Sequence, residues 1–285
     1  MLFRSRREFI LPEGWLSRQV FLHLGAVKSA TRVWMNGQPI GYSQGSNTPA
    51  EFNVTETLKP EKNLLAVEVY RYSDGTYLED QDMWFFSGIF RSVYLYAEPS
   101  LFIRDFFFKT DLSRDGEVLL SWRVFLNRKK DAPAQGGALK IVISGPLRFS
   151  GSPGNAGTCG DMGAEGAKIV PDIPLVAEAV FPFEAPIPGE YPLSGSILVK
   201  NPQLWSAEKP VLYRISLHLL GKDGQTLSVK TLNYGLRTLE IRGIEFLVNG
   251  KKVFLRGVNR HDFHPDTGWT LPPGFREEEI KIMKR

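Results

Sequence analysis

Cysteine is nearly missing from this sequence, which has only Cys159 among its 285 residues. One thiol excludes an internal disulfide and any zinc site built from several cysteines. Such cysteine usage is typical of proteins in a reducing compartment. We therefore expect the chain to be cytoplasmic.

Long hydrophobic runs and an excess of one charge are also lacking. No segment approaches the roughly 20 apolar residues needed to cross a bilayer. The basic stretch at residues 4–7 is followed only by a short apolar run at 9–11, unlike a signal peptide. The 35 basic and 31 acidic residues are interspersed and give a net charge of +4. We therefore expect neither a membrane nor a nucleic-acid partner.

Apolar and polar residues alternate in short runs from Gln19 to Gly145. A period of two places the apolar side chains on one face of a strand and predicts antiparallel β-structure. Helical periodicity is nearly missing until Glu277, which follows Pro272-Pro273-Gly274 and predicts a helix start. The clearest alternations are Val118, Leu120, Trp122, Val124 and Leu126, and then Val211, Tyr213, Ile215, Leu217 and Leu219.

Turn signals separate the predicted strands. Asn-Gly and Asp-Gly tolerate the positive φ angles of a type I′ turn, so Asn36-Gly37, Asp223-Gly224 and Asn249-Gly250 predict hairpins. Glycine recurs at seven positions between 145 and 166, too often for a packed element. This stretch predicts an exposed insertion. A phosphate loop is disfavoured because Gly-x-Gly-x-x-Gly and Gly-Lys-Ser/Thr are both lacking.

The segment from Tyr77 to Gly88 combines three carboxylates with a cluster of aromatic residues. Carboxylates accept hydrogen bonds from sugar hydroxyls or coordinate hard cations, and an indole offers a flat apolar face to a pyranose ring. A second interpretation is a solvated acidic loop that pairs with Arg71 and Arg91 and leaves Trp84 in the core. Two close carboxylates also suit a glycosidase acid and base, although adjacency in sequence indicates that role only weakly.

A second segment, from Phe254 to Pro265, is an apolar stretch that runs into polar residues at 259–262. Polar residues at a strand end are typical of the active-site rim of a β/α barrel. His261 can donate to a substrate hydroxyl there, or bind a metal together with His264. A structural histidine bonded to a backbone carbonyl fits the same sequence, and the metal interpretation lacks further ligands.

Several ordered motifs span nearly the whole chain apart from the glycine-rich insertion. They are Gly41-Tyr42-Ser43-Gln44-Gly45-Ser46, Pro49-Ala50-Glu51-Phe52, Leu78-Glu79-Asp80-Gln81-Asp82-Met83-Trp84, Asn201-Pro202-Gln203-Leu204-Trp205-Ser206, Tyr234-Gly235-Leu236-Arg237 and Arg256-Gly257-Val258-Asn259-Arg260-His261. Together they resemble the β-galactosidases of glycoside hydrolase family 2, of the large bacterial, lactose-cleaving type. The chain resembles an N-terminal or internal fragment of such an enzyme.

The resemblance implies a mainly β fold in three parts. Residues 1–98 are expected to form a jelly-roll-like sugar-binding domain whose front part is missing. Residues 99–238 are expected to form an immunoglobulin-like β-sandwich that carries the glycine-rich insertion near 145–166. Residues 239–285 are expected to contain the first strand and the start of the first helix of a truncated TIM barrel.

The resemblance also implies a retaining glycosidase that cleaves terminal β-galactosides such as lactose. Its two catalytic glutamates are expected beyond Arg285, so no catalytic residue is assigned in this chain. Asp82 is similar to the family aspartate that binds galactose and a monovalent cation, Na⁺ or K⁺. His261 is similar to the histidine that holds galactose in the transition state. The full-length family implies Mg²⁺, with ligands outside this chain, and a homo-oligomer such as a tetramer.

Two positions depart from the family pattern: Phe85 stands where relatives often have arginine, and Phe263 where a polar residue is common. The main alternative is a non-catalytic carbohydrate-binding or structural β-sandwich protein. The incomplete helix after Glu277 argues against it, because a finished module does not expose an unpartnered strand and half a helix. A further alternative is a fragment that associates with a separately encoded catalytic remainder.

Overall fold

A computed structural model, which describes residues 2–79, 81–113, 115–133, 135–147, 173–185 and 188–285, confirms the mainly β fold. The described chain divides into two compact units. The first unit contains the residues up to Pro99 together with Val258–Arg285, and the second unit contains Ser100–Gly257. The three-part division at 98 and 238 stays a prediction.

The first unit is built from short antiparallel strands, two α-helices and two 3-10 helices, Trp15–Ser17 and Thr55–Thr57. The strands are β1 (Leu2–Ile10), β2 (Gln19–Leu24), β3 (Val27–Lys28), β4 (Ala30–Met35), β5 (Gln38–Gln44), β6 (Ala50–Asn53), β7 (Lys62–Tyr70), β8 (Gly88–Ile89) and β9 (Val93–Glu98), and the helices are α1 (Asp74–Leu78) and α2 (Phe275–Lys284). One sheet has the order β1-β7-β4-β5 and another β6-β2-β9, while β3 pairs with β8. Buried side chains of both larger sheets, such as Leu22 and Val69, share one core.

The second unit contains ten strands among the described residues. They are β10 (Leu101–Leu112), β11 (Val118–Arg128), β12 (Gln135–Ser144), β13 (Leu175–Ala185), β14 (Gly189–Val199), β15 (Tyr213–Gly221), β16 (Thr226–Tyr234), β17 (Leu239–Arg242), β18 (Glu245–Val248) and β19 (Lys251–Lys252). The sheets have the orders β10-β11-β14, β13-β12-β15-β16 and β17-β18-β19. The first two sheets enclose a common apolar core, as in a β-sandwich.

The predicted alternations lie where a sandwich core requires them. All five alternating residues of β11, from Val118 to Leu126, are buried, while Leu119 and Arg123 between them are exposed. The second alternation is buried from Tyr213 to Leu219, and Val211 precedes that strand. An antiparallel sheet that covers a core with one face produces this pattern.

Two of the three predicted hairpins have type I′ geometry. Asn36 and Gly37 have φ values of 53° and 82°, and Asn249 and Gly250 have 52° and 72°. The type I′ prediction is wrong at Asp223-Gly224, where only Gly224 has a positive φ, of 78°. The strands there are joined by four residues, and the Gly221 N–H donates to the Gln225 carbonyl over 2.8 Å. A longer loop does not need two adjacent left-handed residues.

The predicted helix after Gly274 is confirmed as α2. The predicted barrel strand near Phe254 belongs to no ladder in the described chain. The Val253 N–H donates to the Phe246 carbonyl of β18 over 2.9 Å, and residues 254–263 make no such backbone bond to any described residue. A strand of a TIM barrel makes backbone hydrogen bonds to parallel strands on both sides. The described residues contain no pair of parallel strands.

Two sequence predictions concern residues beyond those the structure describes. The glycine-rich insertion is described only up to Leu147, and Cys159 falls outside the described residues. Within the described ranges, no helix has the length and apolar character needed to cross a membrane.

His218 makes the stability of the second unit dependent on pH. Burial is the main cause that lowers its pKa, and the nearby Lys140 charge lowers it further, against the opposite effect of Glu178. The unfolded state, with a histidine pKa of about 6.5, therefore binds more protons than the folded state as pH falls below that value. The stabilising effect of neutral His218 is complete above about pH 6.5 and decreases below it.

We expect the urea midpoint of the wild-type chain to fall more steeply between pH 8 and pH 5.5 than that of His218→Gln. Glutamine does not titrate, so the difference between the two slopes isolates His218. Equal slopes would contradict the lowered pKa.

Candidate functional site

The two described carboxylates of the acidic segment, Glu79 and Asp82, have different surroundings in the structure. The Glu79 carboxylate accepts hydrogen bonds from the Ser46 backbone N–H, at 3.2 Å, and from the Ser46 hydroxyl. It therefore anchors the turn after β5. Asp80 lies outside the described residues, and Asp82 is exposed. Of the two described acids, Asp82 is the one available to a ligand.

Helix α1 sets the start of this segment. The Ser73 backbone N–H donates to the Thr76 hydroxyl over 3.1 Å, completing a capping box at the helix N-terminus. The Gln44 amide donates to the Asp74 carboxylate over 2.6 Å and ties the helix to β5. These polar contacts thus hold the N-terminal end of the segment that leads to Asp82.

An open cavity of about 630 Å³ brings the two predicted ligand-binding residues together. This volume lies within the range of small-molecule sites, roughly 300–1,000 Å³. Asp82 and His261 both line it, although they lie far apart in the sequence. The lining residues, which define the Asp82 cavity, are Asp82, Met83, Trp84, Phe85, His261 and Phe263.

Aromatic rings form one wall of the Asp82 cavity. Phe263 stacks on Trp84 at a centroid distance of 5.7 Å and an interplanar angle of 16°, and on Phe86 at 6.3 Å and 11°. Trp84 remains 65% exposed, so the alternative that placed it in the core is wrong. Stacking from one side holds the indole while much of its surface stays accessible to a ligand.

A buried lysine that the sequence interpretation missed lies next to Phe85, one of the cavity-lining residues. Lys28 is only 6% exposed, and its Nζ lies 4.9 Å from the Phe85 ring centroid and 4.6 Å from that of Trp269. Cation–π attraction of this kind stabilises the Phe85 ring in its position. No local motif marks Lys28 or Trp269, because the contact joins a strand to a distant loop.

Charged side chains surround the backbone that carries His261. Arg260 donates to Asp262 and to Glu279, and Arg276 donates from Nε to Asp262 over 3.0 Å. The hydrogen bonds from Arg276 are the main cause that lowers the pKa of the Asp262 carboxyl, with partial burial opposing them. Asp262 is therefore an ionised partner of both arginines near neutral pH.

His264 has a structural position. Its ring packs edge-on against Phe275 at a centroid distance of 5.2 Å, and its Nδ1 accepts the Asp266 N–H over 3.3 Å. In the described parts of the chain, no group of three or more histidine, cysteine, aspartate or glutamate side chains could hold a metal. The two-histidine metal interpretation gains no support from this arrangement.

The monovalent cation implied at Asp82 requires more than these residues supply. Asp82 is the one carboxylate that lines the cavity in the described chain, whereas hard cations take several oxygen ligands, about six to eight for calcium. The described residues therefore do not complete a cation site. They also lack the paired carboxylates of a glycosidase at this cavity.

The arrangement is suited to a polyhydroxylated ring. The Asp82 carboxylate accepts hydrogen bonds from hydroxyl groups, and the His261 imidazole can donate or accept one. The Trp84 indole provides an apolar surface for the face of a sugar ring. The residues that line this cavity therefore have the chemistry of a carbohydrate-binding surface on a mainly β fold.

Three sequence models of one family match the chain in order. "Glycosyl hydrolases family 2, sugar binding domain" matches residues 4–99, "Glycosyl hydrolases family 2" matches 162–237, and "Glycosyl hydrolases family 2, TIM barrel domain" matches 239–285. The chain belongs to glycosyl hydrolases family 2, and the predicted resemblance is confirmed.

Curated relatives are similar over nearly the whole chain. A beta-galactosidase of Pseudoalteromonas haloplanktis is 34% identical, with 98% of this chain and 25% of that protein covered. One of Enterobacter cloacae is 36% identical, with 97% and 25% covered. The crystal structure of Bacteroides uniformis beta-glucuronidase has a TM-score of 0.82 and 25% identity, and the match covers 99% of this chain and 32% of that one. The chain spans about a quarter of the length of these curated relatives.

Proposed function

We propose that this chain contributes part of the galactose-binding site of a retaining β-galactosidase that cleaves terminal β-D-galactosides such as lactose. The acid/base and nucleophile glutamates come from outside these 285 residues. The observation that carries the proposal is the convergence of Asp82, Trp84 and His261 on one cavity. The similarity to beta-galactosidases over nearly the whole chain supports it.

Each of these residues has a distinct part in the proposed binding. Asp82 accepts hydrogen bonds from galactose hydroxyls, and a charged acceptor makes such bonds stronger than a neutral one. Trp84 stacks on the apolar face of the pyranose. His261 contacts a hydroxyl whose interaction strengthens as the ring distorts toward the transition state, which is where binding energy accelerates a reaction.

The whole enzyme is proposed to use Mg²⁺ and either Na⁺ or K⁺ and to assemble as a homo-oligomer such as a tetramer. Asp82 is proposed as one ligand of the monovalent cation, completed by oxygen atoms from elsewhere. A cytoplasmic location is proposed from the single cysteine. The partner is a β-galactoside, with no nucleic acid or membrane.

The test is hydrolysis of a chromogenic β-galactoside by the purified chain, alone and mixed with a polypeptide that supplies the remaining barrel. We expect activity only in the mixture, and less of it when the chain carries Asp82→Asn. Activity of the chain alone would contradict the assignment of both catalytic glutamates elsewhere. Binding of galactoside without activity in any mixture would favour the non-catalytic carbohydrate-binding alternative.

A further inference from the structure

The backbone that presents His261 is not held by strand hydrogen bonds. Residues 253–263 belong to no ladder in the described chain, and the nearest backbone bridge joins His264 to Gly268. A loop without such bonds samples many backbone conformations unless side chains restrain it. The position of His261 in the cavity therefore depends on side-chain contacts.

Four charged side chains supply such contacts, and we call them the α2 bracket: Arg260, Asp262, Arg276 and Glu279. Arg260 and Asp262 are the two chain neighbours of His261, whereas Arg276 and Glu279 belong to α2. The Arg260 Nε lies 3.0 Å from a Glu279 carboxylate oxygen, and the Arg276 Nε lies 3.0 Å from the Asp262 Oδ2. Each neighbour of His261 is thus bonded to the helix.

The bracket is stronger than an isolated surface ion pair. Three of its members have side chains only 25–32% exposed, and Arg276 is 53% exposed. An exposed pair contributes little because water and salt screen it, but these arginines make charge-assisted bonds within a connected, partly buried network. The bonds at both of its neighbours therefore oppose a shift of the His261 backbone.

A second restraint acts on the next residue along the chain. Phe263 stacks on Trp84, so the segment is held by α2 through charges and by the aromatic wall through ring contacts. The charged restraint acts on both chain neighbours of His261, and the aromatic restraint acts two residues after it. This arrangement limits the backbone position from which the imidazole reaches the Asp82 cavity.

We propose that Arg260, Asp262, Arg276 and Glu279 are positioning residues that hold His261 in place to contact the ligand. The ligand is the β-galactoside of the proposed function, on which this second step rests. A misplacement of about 1 Å in a binding group can cost up to a hundredfold in activity.

The test uses variants that leave the neighbours of His261 unchanged. The double variant Arg276→Met/Glu279→Gln removes both bonds from α2 to the segment and keeps the net charge. The matched control is Lys281→Met/Glu278→Gln, which removes an ion pair of 2.6 Å on the same helix with the same change of charge. The His264 ring, packed on Phe275 at the start of α2, reports whether the helix remains docked.

The first measurement needs no ligand. In the wild-type chain and the control, we expect the His261 backbone amide to be ordered in NMR relaxation. In Arg276→Met/Glu279→Gln we expect its order parameter to fall toward the flexible range, below about 0.6, while the His264 signal is unchanged. An equally ordered His261 amide in this variant would overturn the proposal, whatever the chain binds. A change at His264 as well would show general loss of α2 docking and would also overturn it.

The second measurement is the affinity for methyl β-D-galactoside by calorimetry. We expect Arg276→Met/Glu279→Gln to bind about tenfold more weakly, which is about 1.4 kcal/mol, and the control to bind like wild type. In a His261→Ala background the same double change should have no further effect, because its influence passes through His261. A persistent tenfold loss in that background would overturn the positioning role. If the wild-type chain alone binds no galactoside, the same affinities are measured in the mixture that supplies the remaining barrel. If that mixture binds none either, the proposed function fails, and the order-parameter result still decides whether the bracket holds His261.

Discussion

Trp122→Ala is expected to destabilise the second unit by about 3–5 kcal/mol, the cost of removing a large aromatic side chain from a core. Trp122 on β11 is 4% exposed and packs edge-on against Phe181 at a centroid distance of 4.6 Å. Gly195 lies opposite on β14, where a Cβ would come within 2.7 Å of the indole. The backbone around Trp122 is therefore shaped to its ring and cannot close over the space that alanine leaves.

Two further variants separate the contribution of side-chain packing to stability from that of the buried indole N–H. The Trp122 Nε1 is buried and has no hydrogen-bond partner in the described residues, so Trp122→Phe keeps most of the packing and removes an unpaired donor. We expect Trp122→Phe to cost less than about 2 kcal/mol. Phe107→Ala, on the neighbouring β10 but 64% exposed, should cost less than about 0.5 kcal/mol.

These costs are measured by urea unfolding followed by circular dichroism, with the midpoint and the slope compared. A Trp122→Ala cost close to that of Phe107→Ala would mean that Trp122 does not belong to the core.

Asp82→Asn is expected to weaken methyl β-D-galactoside binding by about 10- to 150-fold. A hydrogen bond to a charged group contributes about 1.5–3 kcal/mol, which corresponds to that range of affinity. Asparagine keeps the size of the side chain and lacks the charge. It also presents one acceptor oxygen in place of two, so the sugar hydroxyl groups lose one of the two oxygens to which they can donate.

The matched control is Asp74→Asn. The Asp74 carboxylate is also exposed and lies on α1 in the same unit, but it accepts a bond from Gln44 and does not line the cavity. We expect calorimetry to give wild-type affinity for this variant. Equal losses in both variants would show an effect of charge in general, and no loss at Asp82 would contradict its role in binding.

Much of the fold could be predicted from local pattern. The alternation along β11 and β15 follows from the period of a strand that covers a core with one face, and Asn36-Gly37 and Asn249-Gly250 adopt the turns their residue types favour. At Asp223-Gly224 the turn type depended on the length of the loop, which is set by strand pairing and a register shift between Leu219 and Leu220. Pairing joins distant residues, so a local pattern does not specify it.

The sequence by itself determined that this is a β-rich member of glycosyl hydrolases family 2 and that segments 77–88 and 254–265 carry groups suited to a sugar. Only the tertiary structure decided that Glu79 anchors a turn while Asp82 lines the cavity, and that Trp84 lies at the surface. It also decided that His261 meets Asp82 and is flanked by bonds to α2. The physical reason is that residue type sets what a side chain can bind, whereas long-range packing sets which side chains share a space.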